Sequence, residues 1–452
     1  HAWEQQIQLS GEGSAASAAA LALYASALLQ SGDAKQAEPL LRGALDRLRA
    51  SLGPDHLRTV DAEIALARLE LMIGHDDESL KLLQHGVDVY TRVYGPDAPE
   101  LVPRLTALSG QYVELSQFDK SNEISHRALR IIERHNGPDH VLAIVPHTQI
   151  ADALRYQQKY AEALPEMDAA VRIARSQLPA ANPIIAGVLI RYGDLLRRMQ
   201  RYDEAEQVFA EGVAKLQGSS SGEYAQMLQV YGTLASARGA YALASERFRK
   251  SMDVFRKATG DSTFTWLTAL LLIDSLGQDG QLEEADTLAK EASRAFAGMG
   301  QPDSYESGYL SGTVGYLRWR QRRFEDSIAP FRHSLKVQIQ TYGEQHPEVA
   351  RMRAALARSL LAIGDADSRM EAASLIEQAL PVIEKADAGT ADTGVALLVR
   401  AELRLDAGEA MGAQRDIDAA LPSLQGKGLD RERERRMAAN LSQRIKRMPA
   451  IR

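Results

Sequence analysis

Apolar residues recur three and four apart along most of this chain, and the recurrence itself repeats. The clearest stretch is residues 190–213, where two such runs, 190–199 and 203–213, flank Gln200, Arg201 and Tyr202. That spacing predicts two amphipathic helices joined by a tight turn. Equivalent joints fall at Gly32, Gly74, Ser116, Gln158, Gln200, Gly239, Gly280, Arg322, Gly364 and Gly408, with spacings of 42, 42, 42, 42, 39, 41, 42, 42 and 44 residues. A period of this size is the mark of a stacked array, in which each unit buries its apolar face against its neighbours.

Small residues keep the same register. Seven residues before the joints stand Ala25, Ala67, Ser109, Ala151, Gly193, Gly232, Gly315, Ala357 and Ala401, with Ile273 the one large exception. Five after come Ala37, Ser79, Ser121, Ala163, Ala205, Ala244, Ala285, Ser327 and Ala413, and twelve after Ala44, Gly86, Ala128, Ala170, Gly212, Ser251, Ala292, Ser334 and Ala420. The ninth repeat breaks both rows with Arg369 and Ile376, and a three-residue insertion after Gly364 brings Ala372 and Ala379 into register. These are the points where paired antiparallel helices approach most closely. Where the joint lacks glycine, an aromatic follows two residues on (Phe118, Tyr160, Tyr202, Phe324). Glycine permits the φ > 0 turn directly, and the aromatic is expected to cover the turn by packing. Connectors such as Gly53-Pro54-Asp55-His56, Gly137-Pro138-Asp139-His140 and Gly343-Glu344-Gln345-His346-Pro347 read as helix punctuation: glycine ends one helix, proline stops its continuation, and an acidic or polar residue caps the next.

Length alone suggests several globular domains at 452 residues, but the repeat makes one elongated array the expectation. It runs over residues 15–425, after an arm at 1–14 and before a basic capping helix and tail at 426–452. The 217–223 run, Gln-Gly-Ser-Ser-Ser-Gly-Glu, coincides with the shortest spacing and predicts a bend or softer joint. Residues 13–32 are free of charge and long enough for a membrane span, yet they are rich in Ala and Ser and end in the repeat joint, so they read as the first repeat helix. The chain begins at His1, which suggests a piece of a longer protein. With no cysteine, thiol catalysis and thiolate metal sites are excluded. A net charge of −7 gives no reason to expect nucleic acid or anionic lipid.

Tyr202-Asp203-Glu204-Ala205-Glu206, Tyr160-Ala161-Glu162-Ala163, Leu40-Leu41-Arg42-Gly43-Ala44-Leu45 and the connector residues Asp97-Ala98-Pro99 give the chain its resemblance to tetratricopeptide repeats. It is similar in particular to the 42-residue variety of kinesin light chains and many bacterial regulators. The resemblance implies an all-α fold, a right-handed α-solenoid of about ten helix-turn-helix repeats with a C-terminal capping helix, whose first helices line a concave groove for peptides or partner proteins. Kinesin-light-chain repeats usually carry paired Asn nine and ten residues before the joint; here no repeat has them. A backbone clamp along the whole groove is therefore not expected.

Chemistry-bearing patterns are sparse. The connector histidines His56, His140 and His346 recur with the repeat, as loop structure does and a single active site does not. No metal site and no cofactor are assigned. Gly218-Ser219-Ser220-Ser221-Gly222 fits the GxSxG spelling but lies between helices, whereas a nucleophile elbow needs a strand before its serine. No phosphate-binding loop or kinase signature is present, so an enzyme is not expected. What remains is the groove. Family geometry places on it Gln149, Asp152, Arg155 and Tyr156 of repeat four, Arg191, Asp194, Arg197 and Arg198 of repeat five, Gln229 of repeat six, and Tyr316, Trp319 and Arg320 of repeat eight. These charges either pair laterally, Asp152 with Arg191 and Asp194 with Arg155, or recognise an acidic segment, and both can hold together. Arginine and aromatic residues are the types that dominate binding hot spots. The leading expectation is a scaffold that binds a protein or peptide. The alternatives are a regulatory region of a larger bacterial signalling protein, such as a membrane-anchored Ser/Thr kinase, and a signalling-peptide sensor. Oligomeric state and compartment are not legible.

Overall fold

The computed structural model describes residues 14–30, 34–179, 182–219, 221–299, 303–387 and 390–448, leaving aside the side chains of Gln30 and Asp387. The described residues form 21 α-helices and three short 3-10 turns, with no strand among them. They are an α-solenoid built from consecutive helical hairpins. The chain divides into two compact units, residues 1–208 and 209–452.

The first unit pairs α1 (Ala15–Gln30) with α2 (Ala34–Leu52), α3 (Leu57–Met72) with α4 (Asp76–Tyr94), α5 (Val102–Glu114) with α6 (Phe118–Asn136) and α7 (Ile144–Tyr156) with α8 (Tyr160–Gln177). It continues through α9 (Pro183–Arg198) and the start of α10 (Tyr202–Leu216). Residues 15–30 of the charge-free stretch form α1, and no described helix is long and apolar enough to cross a membrane. The second unit holds the rest of α10, then pairs α11 (Gly222–Ala237) with α12 (Tyr241–Thr259), α13 (Thr263–Gln278) with α14 (Leu282–Gly298), α15 (Tyr305–Arg320) with α16 (Phe324–Tyr342), α17 (Pro347–Ile363) with α18 (Ala366–Asp387) and α19 (Ala391–Asp406) with α20 (Ala410–Ala420). A last helix, α21 (Leu429–Arg447), follows.

Close approach explains the small-residue rows. Ala25, Ala67, Ala151, Ala357 and Ala401 are at most 1 % exposed. A Cβ added at Gly232 would lie 2.7 Å from the Phe248 ring. Some serines of these rows bond across the hairpin: Ser79 Oγ donates to the Ala67 carbonyl at 2.7 Å and Ser109 Oγ to that of Ser121 at 3.1 Å. Ala372 and Ala379 are fully buried, so the insertion after Gly364 does restore register. Arg369, displaced by it, donates to the Gly364 carbonyl at 2.9 Å instead.

The joints correct one expectation. Ser116, Gln158, Gln200 and Arg322 adopt φ of 56–61°, the same left-handed turn as Gly74, Gly239, Gly280, Gly364 and Gly408. The helix-ending bond from the residue after the joint is also the same, as in His75 N–H to Glu70 carbonyl (2.8 Å) and Lys159 N–H to Leu154 carbonyl (2.9 Å). The aromatic does not replace the left-handed residue. It opens the next helix, and Phe118 there stacks on Tyr156 at 5.7 Å. Gly32, the first joint, lies outside the described residues.

The connectors carry a second correction. The capping residue is the histidine: backbone N–H groups of Arg58, Leu142 and Glu348 donate to Nδ1 of His56, His140 and His346 at 3.1, 3.3 and 3.2 Å. The preceding acid reaches further, to the second helix of the following hairpin, where Asp55, Asp97 and Asp139 accept from Arg92, Arg134 and Arg172. Gln-Gly-Ser-Ser-Ser-Gly-Glu at 217–223 works as punctuation too: Gly218 has φ +86° and Ser221 Oγ caps α11 by accepting from Tyr224 N–H at 3.3 Å. Ser220 is outside the described residues.

Candidate functional site

In the first unit the charged residues of repeats four and five form one ladder. Asp152 accepts from Arg155 (3.1 and 3.2 Å) on its own helix and from Arg191 Nε (3.0 Å) on the next. Asp194 accepts from Arg197 (2.7 and 3.1 Å) and Arg198 (2.9 Å), and Arg155 lies 3.7 Å from it. Both lateral pairs expected between repeats are therefore formed. Burial pushes the Asp194 carboxyl up, but Arg197 and Arg198 together outweigh it and hold it below the usual carboxylate range. Arg155 also lies over the ring of Tyr156 at 4.3 Å, and Tyr156 is exposed. Gln149 turns away from this ladder and donates to the Thr106 carbonyl at 2.8 Å, linking α7 back to α5. Across these six charged side chains, four guanidiniums face two carboxylates.

On the same repeat positions, hairpins one to three form an apolar pocket of about 460 Å³. Leu29, Ile64, Ala65, Leu71 and Ala107 line it, with Arg68 and two acids, Asp61 and Glu114.

Sequence reasoning missed the buried acids of this unit. Glu63 and Glu70 are at most 2 % exposed. Glu63 accepts from Arg49 (2.8 Å) and is 2.7 Å from His85 Nδ1, while His85 Nε2 is 3.0 Å from Asp55. Burial pulls the His85 imidazole down, but the two carboxylates outweigh it and raise it above its ordinary value. These contacts tie one repeat to the next, and no group of acids and histidines suited to a metal ion occurs among the described residues.

The second unit places its expected residues differently. Gln229 on α11 donates to Thr268 Oγ1 at 3.2 Å, another link between first helices. Tyr316, Trp319 and Arg320 were expected to continue an open surface, but α21 lies across that surface. Arg320, 2 % exposed, donates to both oxygens of Asp430 (2.9 and 2.8 Å) and to Asp274 Oδ1 (2.7 Å). Trp319 is 7 % exposed, with the Arg358 guanidinium 3.6 Å above its ring and Arg433 at 5.4 Å on the same ring. Arg358 donates to Glu434 at 3.1 Å. Tyr316 packs edge-on to Phe331 at 5.1 Å. Two signals in the chain could have located this. Gly277 leaves the space that the Arg320 guanidinium fills, 2.6 Å from where its Cβ would be, and Asp430 and Glu434 stand one turn apart within a predominantly basic helix.

The candidate site is thus the face of first helices in a two-helix repeat array, open in the first unit among the described residues and occupied in the second. The array also matches a known repeat family. Tetratricopeptide repeat matches residues 16–92 and 184–257, and with the 42-residue hairpin period the chain carries tetratricopeptide repeats, similar to those of the kinesin-light-chain type. It is 21 % identical over 318 residues to the protein kinesin light chain-related 1 of Arabidopsis thaliana, covering 69 % of this chain and 51 % of that one. It is 22 % identical over 243 residues to a clustered mitochondria protein homolog of Debaryomyces hansenii, covering 52 % and 18 %. The chain therefore spans about half or less of these curated relatives. Among solved structures, aspartyl phosphate phosphatase F from Bacillus subtilis superposes with a TM-score of 0.51 at 11 % identity, over 81 % of this chain and 93 % of that one, a likeness of fold alone.

Proposed function

We propose that the chain is a non-enzymatic scaffold that holds an acidic segment of a partner protein against the first helices of its first unit. The observation that carries this reading is that the chain uses the same repeat positions, in hairpins seven to ten, to seat a helix: Gln278, Arg320, Arg358, Glu402 and Asp406 bond to α21, and Asp274 supports it. Asp274 does so through the shared guanidinium of Arg320. In the first unit those positions are free of any such helix among the described residues, and they combine an apolar pocket with an excess of arginine. Apolar side chains of a bound segment would fill the pocket and its carboxylates would meet Arg191, Arg197 and Arg198, whose planar forks suit bidentate recognition.

Selection from a random peptide display library on the immobilised full chain tests this. Enriched sequences should combine apolar residues with Asp or Glu, and Arg191→Ala and Arg198→Ala should each weaken the best binder roughly tenfold, about 1.4 kcal/mol. Thermal stability should barely move, because exposed ion pairs contribute only about 0.2–1 kcal/mol. Binders indifferent to both substitutions would remove the first-unit face from consideration.

A further inference from the structure

We propose that α21 is a displaceable internal ligand, and that the face beneath it in the second unit is a docking site for a partner helix carrying two carboxylates four residues apart. This stands independently of the first-unit reading, since it concerns other residues and another ligand.

The helix runs lengthwise over that face. The Lys427 carbonyl, just before its start, accepts from the Tyr241 hydroxyl at 3.4 Å, Gln278 Nε2 donates to Asp430 at 3.0 Å, Glu434 meets Arg358, and near its end Arg444 donates to Glu402 and Asp406 at 3.4 and 2.7 Å. The second helix α12 and four successive first helices of the unit, α13, α15, α17 and α19, thus contribute to one track. The residues that enter it, Asp430, Glu434, Ala438 and Leu441, are all buried and follow one stripe of α21, spaced by four, four and three. This is a code for a helix: two acids one turn apart, then a small residue, then leucine.

Three observations separate α21 from an ordinary terminal cap. Its fully buried apolar side chains are only Ala438 and Leu441, joined by Met437 and Ile445 packed half-buried against the core, so most of the side chains that enter the track's start are acidic rather than apolar. Its strongest contacts are ion pairs removed from water, Arg320 with Asp430 and Arg358 with Glu434, whose attraction is largely offset by desolvation while their geometry remains demanding. Finally, it joins the array through Gly426 and Gly428, both at positive φ (+113° and +105°), a conformation in which glycine meets no steric penalty. Such contacts give selectivity for carboxylates with modest net holding energy. An incoming helix with the same stripe can replace every one of them, and the released Arg320, Arg358 and Trp319 then never lack partners.

The test uses the full chain and a fluorescein-labelled peptide of residues 425–448. A chain carrying Asp430→Asn and Glu434→Gln, which loosens the resident helix, should bind the peptide roughly tenfold or more tightly than the native chain, because less of the face is occupied. A peptide bearing the same two substitutions should lose that affinity. Equal affinity of native and substituted chains, or of the two peptides, would overturn the proposal. Hydrogen exchange on the native chain supplies a second reading that needs no variant. The amides of α21 should exchange by a local opening, ahead of those in α13, α15 and α17. Exchange of α21 only together with those helices would make it an integral part of the unit and overturn the proposal equally.

Discussion

Replacing Gly315 with alanine puts a methyl group where two helices of a hairpin meet. The added Cβ would sit 2.6 Å from Cδ1 and Cε1 of Phe331 and 2.9 Å from its Cγ, against an ordinary contact of 3.4–4 Å. Phe331 is fully buried and already edge-on to Tyr316, so α16 has to yield or the ring has to leave its rotamer. Overpacking of this kind costs about 1–3 kcal/mol. Exchange of a mid-helix glycine for alanine returns about 1 kcal/mol of helix propensity, which leaves a net loss of up to about 2 kcal/mol. Gly43→Ala is the matched control: it lies within α2 with nothing within 4 Å of the built Cβ, so only the gain of about 1 kcal/mol should appear. Urea unfolding followed by circular dichroism, with Trp266 and Trp319 fluorescence to mark the second unit, measures both. In a unit of this size each kcal/mol moves the melting temperature by roughly 2–4 °C. If Gly315→Ala stabilises as much as Gly43→Ala, the small-residue contacts are not where the hairpins are held together.

Other perturbations probe different parts of the account. Gln158→Gly should raise stability by about 0.5–1 kcal/mol in denaturant titration, since a left-handed φ costs an L residue roughly 1–2 kcal/mol and the added freedom of the unfolded glycine cancels part of the gain; a loss would mean that the Gln158 side chain carries the turn. His140→Ala should cost about 1 kcal/mol by removing a helix cap, and His140→Asn should recover most of it; a lasting deficit in the asparagine variant would assign the histidine another role. Trp319→Ala should leave first-unit peptide binding unchanged and raise the exchange rate of α21 amides, because the ring lies under Arg358 and Arg433. Acid should release the second unit late. Burial pushes the Asp430 carboxyl up, but Arg320 and then Arg358 and Arg431 more than offset this and hold it at about 2, with Glu434 and Asp274 as the neighbouring acids; Asp286, buried against Lys290 and Arg318, is also held at about 2. Folded values below the unfolded carboxylate value mean stability that is present above about pH 4 and is lost as pH falls towards 2. Glu434 works the other way: burial raises it, so its contribution fades as pH rises through its folded value. Helix content and α21 exchange followed by acid titration should thus hold at pH 4–5, and release of α21 already there would contradict the Arg320–Asp430 pairing.

Repeat period, joint positions and contact rows were legible because each follows from one local rule applied along the array, and a residue such as Ala151 or Gly232 must be small wherever the two helices of a hairpin touch. Lateral pairing of Asp152 with Arg191 was legible for the same reason, as positions nearly one period apart face each other. The self-occupied face was not. Arg320 and Asp430 are 110 residues apart, outside any repeat register, and the basic composition of α21 pointed to a solvated cap, whereas only its Asp430, Glu434, Ala438 and Leu441 stripe decides where it lies. The histidine caps were hidden by expectation: Asp is the commoner capping residue, yet the connector places Asp55 one position too early and leaves the cap to His56.

The measurement closest to the central claim is a hydrogen-exchange footprint of the full chain with its best selected peptide bound. If the first helices form the binding face, protection should appear on α3, α5, α7 and α9 and should disappear in Arg191→Ala. Protection confined to the second helices α4, α6 and α8, or to the connectors, would contradict it.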